Sequence, residues 1–211
     1  MKKRGAPAVS GAVYGKYSGI ALCASLFVCG CFMGASAAGA LTHESLVEYL
    51  SGLSLTDEIG AVSAAVYFSR LLSACKYHIA AVFFGFCVVG VACIPVLAAV
   101  RGFFLCFTVS ALTRIYGVDG VPLTLAMFAT CVTITIPCFF VLSAQSFSSS
   151  LALLRTVARG GARGQSPYGA RFFSRCAVCV PALAASALID TLLLPRVIRF
   201  VLADFAKLAS G

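Results

Sequence analysis

The stretch "VLAAVRGFFLCFTVS", residues 96–110, is apolar almost throughout, yet it carries Arg101 near its centre. An arginine at the middle of a bilayer costs about 2.5–3.5 kcal/mol on the insertion scale. At the interface the same side chain reaches water at far lower cost. The stretch therefore predicts a tight cytoplasmic turn at Arg101 and Gly102 that joins two membrane segments. A charge buried inside one span is the alternative.

Composition sets the class of protein. Of the 211 residues, 61% are hydrophobic and 11% are charged, whereas a soluble domain has about 25% charged residues. A water-soluble globule of this size could not cover so much apolar surface. We expect one integral membrane domain over residues 1–211. Because each span needs about 20 residues, the fold class is an all-α polytopic helix bundle with about five transmembrane helices.

The apolar runs and the basic residues give a topology. Basic residues stay in the cytoplasm, so the four that precede the first apolar run predict a cytoplasmic N-terminus. A cleaved signal peptide is the alternative for that run. Residues 155–175 carry five arginines and no acid, which predicts a cytoplasmic loop facing anionic lipid and not nucleic acid. The predicted spans are 18–41, 78–100, 102–116, 121–143 and 176–194.

Two segments outside the spans have amphipathic patterns. Residues 42–76 form the longest polar interval, and "SLVE", residues 45–48, can serve as a capping box with Ser45 as the N-cap. We expect this interval to form amphipathic helices on the extracytoplasmic face. The tail from Pro195 has a similar pattern and is expected at the interface, although insertion of the tail remains open.

Small residues and a proline mark particular positions within the spans. Gly30 and Gly34 form a GxxxG motif, which allows close backbone contact with a neighbouring helix. The alternative is that such residues are simply common in membrane helices. Pro137 predicts a kink in the fourth span. The serine-rich residues 143–150 that follow are expected to form its more polar inner end.

The sequence contains few residues that are candidates for a chemical role. Asp190, near the end of the fifth span, is predicted to cap or pair with a neighbouring helix, and a proton or ion relay is the bolder alternative. The cysteine pairs have no second ligand pair at metal-site spacing, and HExxH, P-loop and GxSxG motifs are absent from the sequence. We expect no catalytic residue, cofactor or metal. A small permease or channel subunit is the rival class to a structural role.

Residues 76–120, "KYHIAAVFFGFCVVGVACIPVLAAVRGFFLCFTVSALTRIYGVDG", resemble the stage II sporulation protein M family. Weaker similarity extends to residues 48–53 and to Asp190 with Pro195. Residues 130–137 keep only the proline of the family's pattern, and Cys106 stands where a glycine is expected. The residues that carry the resemblance are Lys76, Tyr77, Gly90, Pro95, Arg101, Gly102, Phe107, Thr108, Gly117 and Gly120.

The resemblance implies a multi-pass protein of the septal or mother-cell membrane of a sporulating bacterium. Its implied role is that of a non-catalytic scaffold, which places a peptidoglycan-degrading complex at the septum for engulfment of the forespore. The implied partners are the stage II sporulation proteins D and P. An oligomeric state does not follow from the sequence. The candidate topogenic or partner-interface residues are Arg101, Gly102, Gly30, Gly34, Pro137 and Asp190.

Overall fold

A computed structural model describes residues 9–52, 64–117, 124–125, 128–129, 131–158 and 170–209. Within these ranges the chain is helical and contains no strand, so the all-α prediction is confirmed. A π-helical turn, Cys131–Thr135, leads directly into the fifth α-helix. The helices are α1 Val9–Ala40, α2 His43–Gly52, α3 Ala64–Gly85, α4 Gly90–Tyr116, α5 Ile136–Ala158 and α6 Ala170–Ala209.

Four helical segments in the described ranges are long and apolar enough to cross a membrane. Large apolar side chains cover their outer surfaces: Phe32 is 73% exposed and Val178 is 67% exposed. Such continuous apolar exposure is rare on a soluble monomer and is the surface that lipid covers. The protein is therefore a membrane helix bundle. The four segments are Gly19–Ala40, Gly90–Tyr116, Val132–Ala158 and Phe172–Leu192.

Helix α3 is the fifth long helix in the described part of the chain, although its hydropathy is lowered by Arg70 and Lys76. Its 22 residues reach about 33 Å. One side of α3 exposes four large apolar residues at helical spacing, which forms a lipid-facing stripe. The stripe consists of Phe68, Leu72, Ile79 and Phe83.

The predicted turn at Arg101 and Gly102 is wrong. Helix α4 runs through both residues as one continuous helix of 27 residues, and the chain turns instead at residues 86–89, between α3 and α4. The boundaries 78–100 and 102–116 are corrected accordingly. This turn has the apolar sequence "FCVV", without the polar residues that usually mark one. The Ser150 hydroxyl of α5 donates to its Cys87 carbonyl at 2.6 Å.

Gly90 makes the tight reversal possible. A Cβ atom added at Gly90 would overlap the carbonyl oxygen of Phe84, so the two ends of the turn approach each other at backbone distance. The amide of Gly90 also donates to the Cys87 carbonyl at 3.2 Å. A larger residue at this position would force the two helices apart.

Contacts between helices give their relative directions. Helices α1 and α4 are parallel, and so are α3 and α5, because the residue numbers of the contacting pairs increase together along both helices. In α5 and α6 one position increases as the other decreases. Since α3 and α4 form a hairpin, α1, α4 and α6 run one way and α3 and α5 run the other. The pairs are Gly30 with Ala99, Gly34 with Phe103, His78 with Thr135, Gly85 with Ser146, Thr135 with Ser186, and Gln145 with Arg175.

The first predicted span, 18–41, agrees with the observed Gly19–Ala40. The fifth, 176–194, agrees with the observed Phe172–Leu192 to within four residues, whereas the fourth is displaced. Its continuous helical run begins at Cys131 and reaches Ala158, beyond the predicted end at 143. Its serines are not a polar inner end, since Ser143 and Ser146 are fully buried in the helix packing. Helix α6 extends the predicted 176–194 to Ala209, so the tail continues the same helix.

The predicted basic loop is shorter than 155–175, because α5 continues to Ala158 and α6 begins at Ala170. Residues 159–169 lie outside the described ranges. The predicted surface segment, 42–76, is also divided. Residues 64–76 belong to α3, and residues 53–63 are not described.

Helix α2 is the described part of that segment. Its N-cap is Thr42 and not Ser45, because the Thr42 hydroxyl accepts the Ser45 amide at 3.4 Å. The side chain of Leu46 is buried against Ala38, Phe107 and Ala111. Helix α2 therefore folds back against α1 and α4 and does not lie free on a surface.

Candidate functional site

Arg101 lies in the interior of α4 and is only 6% exposed. Its guanidinium carbon is 4.9 Å from the ring centroid of Tyr77 on α3 and 5.1 Å from that of Phe139 on α5. A desolvated cation–π contact can contribute about 2 kcal/mol. The buried charge, which was the alternative to a turn, is thus the observed arrangement, and it joins three helices.

His78 extends this buried site towards α6. Its Nδ1 is 2.8 Å from the Ala74 carbonyl oxygen, and its Nε2 is 3.2 Å from the carbonyl oxygen of Thr135. A neutral imidazole carries a single N–H, so it donates to one of these two carbonyls at a time. The hydroxyls of Thr135 and Ser186 are 3.2 Å apart, which links the site to α6. We call Tyr77, His78, Arg101, Thr135 and Phe139 the Arg101 cluster.

Helix α2 packs beside the Arg101 cluster. The ring of Tyr49 stacks edge-on against Phe107, with centroids 4.9 Å apart, and its hydroxyl is 3.5 Å from that of Thr108. Lys76 adds a second cation, since its Nζ is 5.2 Å from the Tyr77 ring centroid. Of the residues that carry the resemblance, Lys76 and Arg101 therefore meet at the ring of Tyr77, and Phe107 and Thr108 contact Tyr49 of α2.

The glycines of α1 and α4 form a close helix interface. A Cβ atom at Gly30 would overlap the carbonyl oxygen of Ala99, and one at Gly34 would overlap that of Phe103. A Cβ atom at Gly102 would likewise overlap the carbonyl oxygen of Phe27 on α1. The prediction of close backbone contact is confirmed, but the neighbour is α4 of the same chain. This face of α1 is therefore not open to a helix of another protein.

Arg114 has a structural role that no motif in the sequence indicates. Its guanidinium donates to the carbonyl oxygens of Ala38, Gly39 and Leu41 at the end of α1. The last carbonyls of a helix have no partner within the helix and carry its partial negative charge. Arg114 thus caps α1 from the last turn of α4. The sequence around Arg114 does not indicate this role, because the role depends on the parallel pairing of α1 with α4.

Pro137 is the second residue of α5, and the π-helical turn ends two positions before it. Proline lacks the N–H that the carbonyl of Thr133 would otherwise accept, so a regular helix cannot continue through this position. The π-helical turn ends at Thr135, whose carbonyl faces His78. The irregular backbone thus presents an oxygen to the Arg101 cluster.

Asp190 lies in the interior of α6, one turn beyond Ser186, and is partly buried. It lies near the end of the membrane segment Phe172–Leu192, as predicted, but it does not cap a helix end, because α6 continues to Ala209. No group of three His, Cys, Asp or Glu side chains suited to a metal ion occurs in the described parts of the chain. Chemically, the Arg101 cluster offers a buried cation and an imidazole that bind aromatic rings and backbone carbonyls.

The family model described as Stage II sporulation protein M matches residues 23–195 of the chain. The match includes the Arg101 cluster, the glycines at the α1–α4 interface and most of α6. Neither the curated proteins nor the solved structures give a significant match.

Proposed function

Because the chain belongs to the stage II sporulation protein M family and is thus a sporulation-related membrane protein, we propose that it acts as a non-catalytic scaffold. In this role it holds a peptidoglycan-degrading complex at the septal membrane during engulfment of the forespore. The proposed partners are the stage II sporulation proteins D and P, which the resemblance implies.

The packing of the buried Arg101 guanidinium between helices supports this proposal. Arg101 contacts the rings of Tyr77 and Phe139, and thereby connects α3, α4 and α5. Arg114 is likewise engaged with the end of α1. Charges that brace helices against one another favour a rigid bundle, and a rigid bundle suits a protein that positions others.

Because the glycine face of α1 already packs against α4, a partner helix would have to contact another surface of α1. Opposite Gly30 and Gly34, α1 exposes a wide apolar strip that includes Val28, Phe32 and Met33, with Phe32 73% exposed. Shape and dispersion contacts drive helix association in lipid. We place the membrane anchor of a partner on this strip, while residues 42–52 and the segment that follows contact extracytoplasmic parts of the complex.

Affinity capture from sporulating cells tests the role. We expect proteins D and P to be recovered with the chain. In a background without native cysteines, Phe32→Cys should form crosslinks to a partner anchor. A thiol kept at the buried Cys23 should not, because this position faces the bundle. Capture that recovers neither protein would contradict the scaffold. Purified chain that cleaves peptidoglycan unaided would contradict the non-catalytic role.

A permease or channel subunit is the second candidate, and one observation favours it. Arg101 and His78 lie buried between membrane helices, where ionisable groups commonly mark solute or ion paths. Purified chain in proteoliposomes would then conduct a solute or an ion, and Asp190→Asn would abolish the flux with complex assembly intact. Vesicles that stay impermeable would remove this candidate.

A further inference from the structure

A groove lies between α5 and α6 on the outer surface of the bundle, with a volume of about 290 Å³. Cys179 forms its floor and is 5% exposed, whereas Val141 and Val178 on the two walls are 45% and 67% exposed. The groove is therefore open to the surroundings along its length. Pro137 and Ser174 complete the lining together with Arg175.

One cation stands among these apolar walls. Arg175 is half-buried and donates from its guanidinium to the Gln145 side-chain oxygen at 2.5 Å. This bond uses one of the five N–H donors of the guanidinium and holds the group beside the groove. Because α5 and α6 are antiparallel, Arg175 lies towards the end of the groove nearer their connection, and Pro137 lies at the deeper end.

Arg175 is the positive charge that the groove offers at that end. The next described cation on α5, Arg155 in its last turn, is about 15 Å further along the helix from Gln145. A negative headgroup at this end would meet the Arg175 guanidinium, a contact worth about 1 kcal/mol near a membrane surface. An apolar chain attached to it would run along the groove towards Pro137.

We propose that this groove binds an anionic phospholipid of the adjacent leaflet, with the phosphate at Arg175 and an acyl chain along Val141 and Val178. A partner helix fits the groove less well, since a helix with its side chains is about 10 Å wide and the cavity holds about 290 Å³. The site is independent of the proposed scaffold role. It adds a specific lipid contact to a protein otherwise held by general hydrophobicity.

The test uses the full-length chain in nanodiscs that contain equal amounts of phosphatidylglycerol and phosphatidylcholine. One of the two lipids at a time carries a photoactivatable group on its acyl chain, and labelled peptides are identified by mass spectrometry. We expect phosphatidylglycerol to label residues 137–141 and 174–179 about fivefold more than phosphatidylcholine, the ratio that one basic contact of about 1 kcal/mol gives.

Three variants test whether Arg175 causes the preference for phosphatidylglycerol. Arg175→Gln should bring the labelling ratio to about one, because a single basic contact is removed. Arg175→Lys should keep most of the preference. Arg155→Gln is the matched control and should also keep the preference, since Arg155 lies about 15 Å along α5 from Gln145 and does not line the groove. If Arg175→Gln fails to fold, Val178→Phe offers a second test, as a filled groove should lose labelling by both lipids.

Three results would overturn the inference. The first is equal labelling of the groove by the two lipids in the unmodified chain. The second is a preference for phosphatidylglycerol that survives Arg175→Gln. The third is a crosslink from the groove to a second copy of the chain or to another protein in place of lipid.

Discussion

At the scale of single residues, Arg101 decides how the chain crosses the membrane. Its cost at the bilayer centre, about 2.5–3.5 kcal/mol on the insertion scale, predicts a position at the interface. In the structure the cost is offset by Tyr77 and Phe139, since each such contact contributes about 0.5–2 kcal/mol. These rings come from other helices, so their presence beside Arg101 could not be known from the local sequence.

We predict that Tyr77→Leu lowers the free energy of unfolding by about 1–2 kcal/mol, because the buried guanidinium loses one of its two rings. Thermal unfolding of the purified protein in detergent measures the change. Phe104→Leu is the matched control, an aromatic residue of α4 that is 45% exposed, and it should alter the midpoint little. A loss no larger for Tyr77→Leu than for Phe104→Leu would argue against the cation–π brace.

At the scale of helices, local patterns predicted α1 correctly and misplaced the turn after α3. The first span is a long apolar run with basic residues before it, and both signals are local. In contrast, Arg70 and Lys76 made the start of α3 resemble a surface segment. The turn at residues 86–89 contains no polar residue and depends on Ser150 from α5. The flanking Gly85 and Gly90 were the available signal for a reversal.

The GxxxG motif also combines a feature that the local sequence predicts with one that depends on another helix. Sequence predicts a close helix contact at Gly30 and Gly34, because these glycines share one face and lack side chains. It does not identify the neighbour, which is α4. Asp190 was misplaced relative to the helix end for a similar reason, since Pro195 did not terminate α6.

We predict that Gly30→Ala destabilises the bundle by about 1–3 kcal/mol, the usual cost of overpacking a tight contact. The added methyl group would meet the backbone of Ala99, which cannot move independently of α4. Gly39→Ala is the matched control on the same helix, because a Cβ atom there has no neighbour within 4 Å. Unfolding in detergent measures both variants. Equal tolerance of the two would contradict the close α1–α4 packing.

At the scale of the whole molecule, the direction of each helix follows from the residue pairs between helices. The four most apolar segments would place both termini on one side of the membrane if they alone crossed it. With α3 as a fifth crossing, the termini lie on opposite sides. The topology predicted from the sequence also has five crossings. Its turn at Arg101 divided α4 between two spans, and residues 64–77 of α3 were left outside any span.

We therefore predict that reporters fused to the two termini lie on opposite sides of the membrane. An N-terminal fluorescent reporter should be active in the cytoplasm, and a C-terminal alkaline phosphatase should be active outside. The physical reason is the lipid-facing stripe of α3, which includes Phe68 and Leu72. Reporters on the same side would show that α3 does not cross.

The location of the turn is the central claim, and cysteine labelling tests it most directly. One variant keeps only the native Cys87, and another lacks all native cysteines and carries Val100→Cys, which leaves Arg101 intact. Val100 lies about 15 Å along α4 from Gly90. A water-soluble maleimide applied to opened cells should label Cys87 and should not label the thiol at position 100. Ready labelling at position 100 with a protected Cys87 would contradict the account.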